Sequence, residues 1–206
     1  MVGPSPPSSD EIDTAAVVAK QALRKGLRAR RRAHVEALDP RTRALLFRRP
    51  PAPLLGLVPA GATVALYNAS PWEAPTASYA SFFHEAGHPV ALPWFAGRDA
   101  PMQFRQWLVP PLEEALVRDP WGVLQPAADA PEATPTVLFV PLMGFTATGQ
   151  RLGQGGGHYD RWLEAHPDAV PIGMAWDAQC VDALPGEAHD QPLRAVVTPT
   201  RLYGPF

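Results

Sequence analysis

Between Val140 and Leu163 the chain reads VPLMGFTATGQRLGQGGGHYDRWL, and this stretch constrains the fold more than any other. An apolar run ending at Val140 predicts a buried strand, and His158-Tyr159-Asp160-Arg161 predicts the opening of a helix. Between them, four glycines fall within five positions, at 153, 155, 156 and 157. A strand feeding a helix through a short connection is the repeating unit of parallel α/β sheets. The glycines let a ligand approach the backbone, and successive N–H groups ahead of a helix N-terminus favour an anion, typically phosphate. Arg151 can pair with phosphate oxygens, and Asp160 can hold a hard cation. The stretch reads as a nucleotide-phosphate site, with a merely tight connection as the alternative. It is neither a Walker A loop, since no Lys-Ser or Lys-Thr follows, nor a dinucleotide fingerprint, since His158 stands where a glycine would be needed.

The remaining chain agrees with an α/β fold. Short apolar runs at 63–67, 90–92, 137–140, 172–176 and 194–198 predict strands, and 75–85 and 158–165 predict helices. Residues 102–107 read as strand or extended loop. The proline-rich stretch 109–135 reads as irregular, with a short helix at 112–117. Upstream, Ser8 and Glu11 form a capping box, and Ile12, Ala15, Val18, Ala22, Leu23 and Leu27 carry helical spacing to about Ala37. Asp39-Pro40 restarts a helix through Arg49. The expected architecture is a mostly parallel, Rossmann-like sheet flanked by helices, with an N-terminal helical appendage. Residues 1–9 are expected to be a flexible tail and 10–206 a single domain.

A net charge of −2 in 206 residues gives no global reason to expect nucleic-acid binding. Eleven of the eighteen basic residues nevertheless lie between Lys20 and Arg49, so charge is concentrated at one end. The single cysteine, Cys180, excludes an internal disulfide or a multi-cysteine zinc site. No window approaches the ~18 apolar residues of a membrane span. These features point to the cytoplasm.

Several side chains keep two readings open. Lys20 and Arg24 share one helix face, and alone they read as a solvated basic face, since Arg28, Arg31 and Arg32 continue it. Glu73 lies just past the first strand, at the end of the sheet where ligands bind, but also fits a surface loop. Met102, Phe104 and Trp107 suit either the core or a wall for a flat aromatic ligand. Asp190 is a turn residue or a second metal carboxylate. His84-Glu85-Ala86-Gly87-His88 satisfies H-E-x-x-H, but Gly87 and Pro89 end the helix inside the motif, so zinc-hydrolase chemistry is set aside.

Arg151-Leu152-Gly153-x-Gly155-Gly156-Gly157-x-Tyr159-Asp160-Arg161, preceded by Val140-Pro141 and Phe145, resembles the signature of the 5-formyltetrahydrofolate cyclo-ligase family. Lys20-x-x-Leu23-Arg24, Asn68, Glu73 with Thr76, Leu92-Pro93, Met102-x-Phe104, Gly173-Met174-Ala175, Gln179, Leu184-Pro185, His189-Asp190 and Val196-Val197-Thr198 follow in the family's order. The resemblance covers Lys20 to Thr198. It implies an ATP- and Mg²⁺-dependent ligase of one-carbon metabolism that converts 5-formyltetrahydrofolate to 5,10-methenyltetrahydrofolate, releasing ADP and phosphate. By the same resemblance ATP would be held by Lys20, Arg24, Arg151, Leu152, Gly153, Gln154, Gly155, Gly156, Gly157, His158 and Tyr159. The folate would lie against Asn68, Glu73, Met102, Phe104 and Trp107. Mg²⁺ would sit on Asp160 and Asp190, and Arg151 and Asp160 would serve catalysis directly. A monomer acting on small molecules, without nucleic-acid or membrane partners, is expected. Gln154, His158, Thr146 and Gln125 depart from the family's usual arginine, tyrosine, aspartate and glutamate. They motivate the alternative of a non-catalytic nucleotide- or folate-binding relative.

Overall fold

The computed structural model describes residues 9–186 and 190–206, with side chains from Val17 onward. The capping residue Ser8, the expected tail up to that residue, and His189 lie outside the described residues. In chain order the elements are α1 (Ser9–Ala37), α2 (Pro40–Leu45), α3 (Ala52–Leu55), β1 (Val64–Ala65), α4 (Ala77–Glu85), β2 (Val90–Trp94), β3 (Gln103–Gln106), β4 (Leu116–Arg118) and β5 (Leu124–Pro126). They continue with β6 (Val137–Pro141), β7 (Gly144–Phe145), β8 (Arg151–Leu152), α5 (His158–Ala165), β9 (Val170–Met174), β10 (Ala195–Val197) and β11 (Leu202–Tyr203).

Seven strands form one sheet in the order β11-β10-β9-β6-β1-β2-β3. The five inner strands pair in parallel, and β3 and β11 close the two edges antiparallel. Val137 to Val140 are all buried, as both faces of a central parallel strand must be. Val137 and Phe139 point into one core with Tyr79 and Phe83 of α4, whereas Leu138 and Val140 point into another with Trp162 and Leu163 of α5. Burying each such side chain contributes roughly 1.5–3 kcal/mol. The chain runs from β1 outward to β2 on one side, then returns to place β6 on the other. That reversal leaves a crevice beyond the carboxyl ends of β1 and β6, the usual ligand position in open α/β sheets.

α1 inserts one stripe of residues, and the stripe is not purely apolar. Lys20, Leu27, Arg31 and Val35 are buried, while Arg28, Arg30 and Arg32 are exposed. Leu27 packs on Met143 and Leu152. The reading of Lys20 as part of a solvated basic face is thereby corrected: it and Arg31 lie on the inward face.

Three other expectations change. α2 stops at Leu45 rather than Arg49, because Leu46 is extended and Phe47 adopts φ 55°. That turn carries the Phe47 ring against Trp176 and Tyr79. Residues 112–117 hold only a three-residue 3-10 turn, and β4 and β5 form an antiparallel hairpin where irregular chain was expected. Arg151 and Leu152 are not loop but strand, paired in a hairpin with Phe145 and Gly144. The H-E-x-x-H helix ends at Glu85, and His88 instead contacts the Ala62 carbonyl at 2.9 Å and meets the Phe83 ring edge-on.

Candidate functional site

A cavity of about 640 Å³ opens in the crevice at the carboxyl ends of β1, β2 and β6. One wall is the connection from β8 to α5. Gly153, Gln154, Gly156, Gly157, His158, Tyr159 and Asp160 line it together with Arg151. Gly157 caps α5 at φ 62° and Gly155 sits at φ 111°, backbone conformations that side-chain-bearing residues rarely adopt. The first turn of α5 thereby lies at the cavity wall, and a helix N-terminus presents its leading N–H groups and the positive end of the helix dipole.

The basic residues of α1 reach this wall from outside. Arg24 donates through Nε to the Gly153 carbonyl at 3.0 Å, and its guanidinium lies against Gly155. Lys20 donates to both oxygens of Asp190, at 2.7 and 3.0 Å. Arg151 Nη2 donates to Asp160 Oδ1 at 2.5 Å, and the same oxygen accepts from the Gln191 N–H at 3.4 Å. Asp160 and Asp190 are thus linked through adjacent residues, each beside a buried cation. Two carboxylates suit Mg²⁺, which keeps waters and takes its other ligands from phosphate. Among the described residues no three His, Cys, Asp or Glu side chains group into a metal cage.

The opposite wall comes from the segment after β1 and from the β4–β5 hairpin. Glu73 is 7% exposed, accepts from the Ser70 N–H at 2.7 Å, and receives the Gln154 side-chain amide on its other oxygen. Asn68 ties this segment to the hairpin by donating to the Leu124 carbonyl at 3.3 Å. Tyr67 and Tyr159 flank Glu73; burial first, and then the Glu73 charge, push both phenols above their ordinary pKa. Burial followed by the neighbouring Arg161 lowers the pKa of His158, consistent with its ring nitrogen lying 3.1 Å from the Arg161 guanidinium.

Of the side chains expected to meet a flat ring, Met102 lines the cavity, but Phe104 and Trp107 do not. Phe104 packs edge-on against Trp162, and Trp107 donates to the Leu112 carbonyl within the core beside α4. Leu152 is buried under Leu27. In their place the cavity gains Phe95, Arg118 and Trp121, which sequence reasoning passed over, and Gln125, noted there only as a departure from the family's glutamate. The Trp121 and Phe95 rings are 4.9 Å apart and perpendicular, and His158 joins them at 5.0 Å from Phe95. A usable signal existed: Asp119-Pro120-Trp121-Gly122 is a turn sequence, and Asp119 caps the hairpin by accepting from the Trp121 and Val123 N–H groups.

Two of the unusual residues have local roles. Gln125 accepts from the Phe95 N–H at 2.8 Å and donates to the Phe95 carbonyl at 3.2 Å. An ionised glutamate would only accept there. Thr146 is buried, bonds the Thr148 hydroxyl and accepts from the Gln150 N–H, shaping the β7–β8 turn rather than the cavity.

Residues 16–199 match the model of the 5-formyltetrahydrofolate cyclo-ligase family. The chain is 33% identical over 155 residues to 5-formyltetrahydrofolate cyclo-ligase of Mycolicibacterium smegmatis, covering 72% of this chain and 79% of that protein. It is 41% identical over 97 residues to the Escherichia coli protein of the same name, a match spanning 44% of this chain and about half (53%) of the relative. Among solved structures, the 5,10-methenyltetrahydrofolate synthetases of Mycoplasma pneumoniae and Aquifex aeolicus superpose with TM-scores of 0.61 and 0.63, each at 22% identity. They cover 86% and 90% of this chain, and 96% and 92% of their own. At that identity the likeness concerns the fold.

Proposed function

We propose an activity from one premise: the chain belongs to the 5-formyltetrahydrofolate cyclo-ligase family. On that premise it closes 5-formyltetrahydrofolate to 5,10-methenyltetrahydrofolate, using ATP and releasing ADP and phosphate. The observation that carries the reading is the division of one cavity between two kinds of wall. The glycine connection, Arg151 and Asp160 offer anion and cation binding on one side; Asn68 and Glu73 offer polar contacts beside the apolar surfaces of Met102 and Trp121 on the other.

The chemistry needs both walls at once. A formamide oxygen is a poor leaving group, so it attacks the γ-phosphorus of ATP, the bond to ADP breaks, and the oxygen becomes a phosphate ester. The N10 amine then bonds to the activated carbon, the carbon–oxygen bond breaks with phosphate leaving, and the N10 proton passes to solvent. Phosphoryl transfer of this kind depends on positioning and charge neutralisation more than on covalent help. Lys20, Arg24, Arg151 and the N–H groups of 153–157 supply fixed positive potential to the phosphates. Asp160 and Asp190 would hold Mg²⁺, which when bound adds neutralising charge at the phosphate oxygens. Glu73 and Asn68 fix the folate, with Met102 against its ring. The pairs Lys20–Asp190 and Arg151–Asp160 keep cation and carboxylate in place before ligand arrives.

One chain supplies both walls, which supports a monomer, and the proposed use of ATP and a reduced folate is in keeping with a cytoplasmic enzyme. No described helix is long and apolar enough to cross a membrane. Purified protein mixed with 5-formyltetrahydrofolate, ATP and Mg²⁺ is expected to develop methenyl absorbance only when all three are present. Folate binding without that signal would instead identify a non-catalytic binding relative.

A further inference from the structure

Glu73 occupies a buried corner of the cavity wall. It is 7% exposed, and its hydrogen-bond donors, the Ser70 N–H and the Gln154 amide, carry no charge. The flanking phenols Tyr67 and Tyr159 stay protonated. Among the described residues the one ion pair found for Glu73 is with Arg31 of α1, whose Nη1 lies 3.7 Å from Oε1. Arg31 is itself 5% exposed, and among the described residues its Nε and Nη1 find no hydrogen-bond partner. A buried guanidinium with unpaired N–H groups is destabilising. The same face of the helix, between Leu27 and Val35, would accept an apolar side chain without that cost.

We propose that Arg31 is a positioning residue for substrate: from α1 it supplies the positive charge that balances the buried Glu73 carboxylate and keeps it aimed into the cavity. This rests on the reading of Glu73 as the folate contact. At 3.7 Å the guanidinium attracts the carboxylate without holding either oxygen by a hydrogen bond. Gln154 holds Oε1 instead. Ring N–H donors of a bound folate would take over the oxygen that Gln154 now occupies, while Arg31, 3.7 Å from that same oxygen, continues to balance its charge. Gln154 then serves folate recognition through Glu73 rather than facing phosphate, and the glycine connection needs no cation at 154 because α1 provides one.

The test compares Arg31→Met, Glu73→Gln, their combination, and Arg31→Met with Gln154→Arg. The readouts are KM for 5-formyltetrahydrofolate and for ATP, kcat, and folate binding without ATP followed by tryptophan fluorescence. Arg31→Met is expected to weaken folate binding about tenfold or more, with ATP KM changed less than about twofold. In the Glu73→Gln background the same change is expected to add little, since no carboxylate charge remains to balance. Gln154→Arg, which puts a cation where the Gln154 amide now meets Glu73, is expected to restore part of the lost affinity. An unchanged folate affinity, an equal loss for ATP, or the same cost with Glu73→Gln overturns the proposal. If Arg31→Met does not fold, Arg31→Lys decides: retained folate affinity supports the role, and a full loss in folded protein refutes it. A wild-type protein that binds no 5-formyltetrahydrofolate would instead defeat the functional reading itself.

Discussion

Replacing Asp160 separates its two roles, as partner to Arg151 and as ligand for a hard cation. The Arg151 side chain is 3% exposed and Asp160 19% exposed, with 2.5 Å between them. Asp160→Ala leaves a buried guanidinium facing no carboxylate. Breaking a buried pair costs about 3–5 kcal/mol, and the partial exposure of Asp160 together with the Arg151 contact to the Gln191 carbonyl place this case near 3. For a chain of this size that corresponds to a Tm fall of roughly 6–12 °C. Asp160→Asn keeps an oxygen for Arg151 and the Gln191 N–H, so only the charge-assisted part is lost, about 1 kcal/mol. Both variants remove the anionic oxygen that would meet Mg²⁺, so both should lose turnover by on the order of 100-fold or more. Thermal melts paired with Mg²⁺ titrations of methenyl formation measure the two effects separately. Asp160→Asn retaining near-full activity at saturating Mg²⁺ would remove Asp160 from the metal site. Equal melting losses in the two variants would refute the pairing argument.

Further outcomes follow from single features. Gly157→Ala places a Cβ at φ 62°, 2.8 Å from a movable Arg161 nitrogen; a loss of about 1–2 kcal/mol should appear in a thermal melt, with weaker ATP binding by calorimetry. Unchanged ATP affinity would detach the turn from the phosphates. Trp121 is 45% exposed at the cavity, so its fluorescence should change on adding 5-formyltetrahydrofolate, and the change should vanish in Trp121→Phe. Tyr67 and Tyr79 are held neutral by burial, with pKa values above the ordinary 10.0. Raised folded-state values mean stability that is intact below that pH and lost as pH rises beyond it. Ultraviolet titration should show these two phenols ionising only above pH 10.0, together with alkaline unfolding; ordinary ionisation in folded protein would contradict their burial.

The parallel sheet was legible because its inner strands are apolar runs, with α4 following β1 and α5 leading into β9, and Val137–Val140 is buried on both faces as its composition demands. The glycine wall was legible because four close glycines have few other uses. What escaped the sequence has physical causes. β4, β5, β7, β8 and β11 are two or three residues long, too short for a period-two pattern to register. Trp121 therefore looked like loop, although it reaches the cavity on a hairpin. Arg31 was hidden differently. In a run of arginines nothing distinguishes the one facing inward, and only its register with Leu27 and Val35 marks it as buried. Phe104 and Trp107 show the converse: both suited a ligand wall by type, but Phe104 packs on Trp162 in one core and Trp107 lies in the other.

Phosphoryl activation of the formyl oxygen is tested most directly by the fate of that atom. With 5-formyltetrahydrofolate carrying a heavy-oxygen label in its formyl group, single-turnover reaction with ATP and Mg²⁺ should place the label in the released phosphate, one labelled phosphate for each methenyl product. Methenyl product formed with unlabelled phosphate, the label passing to water, would contradict the mechanism.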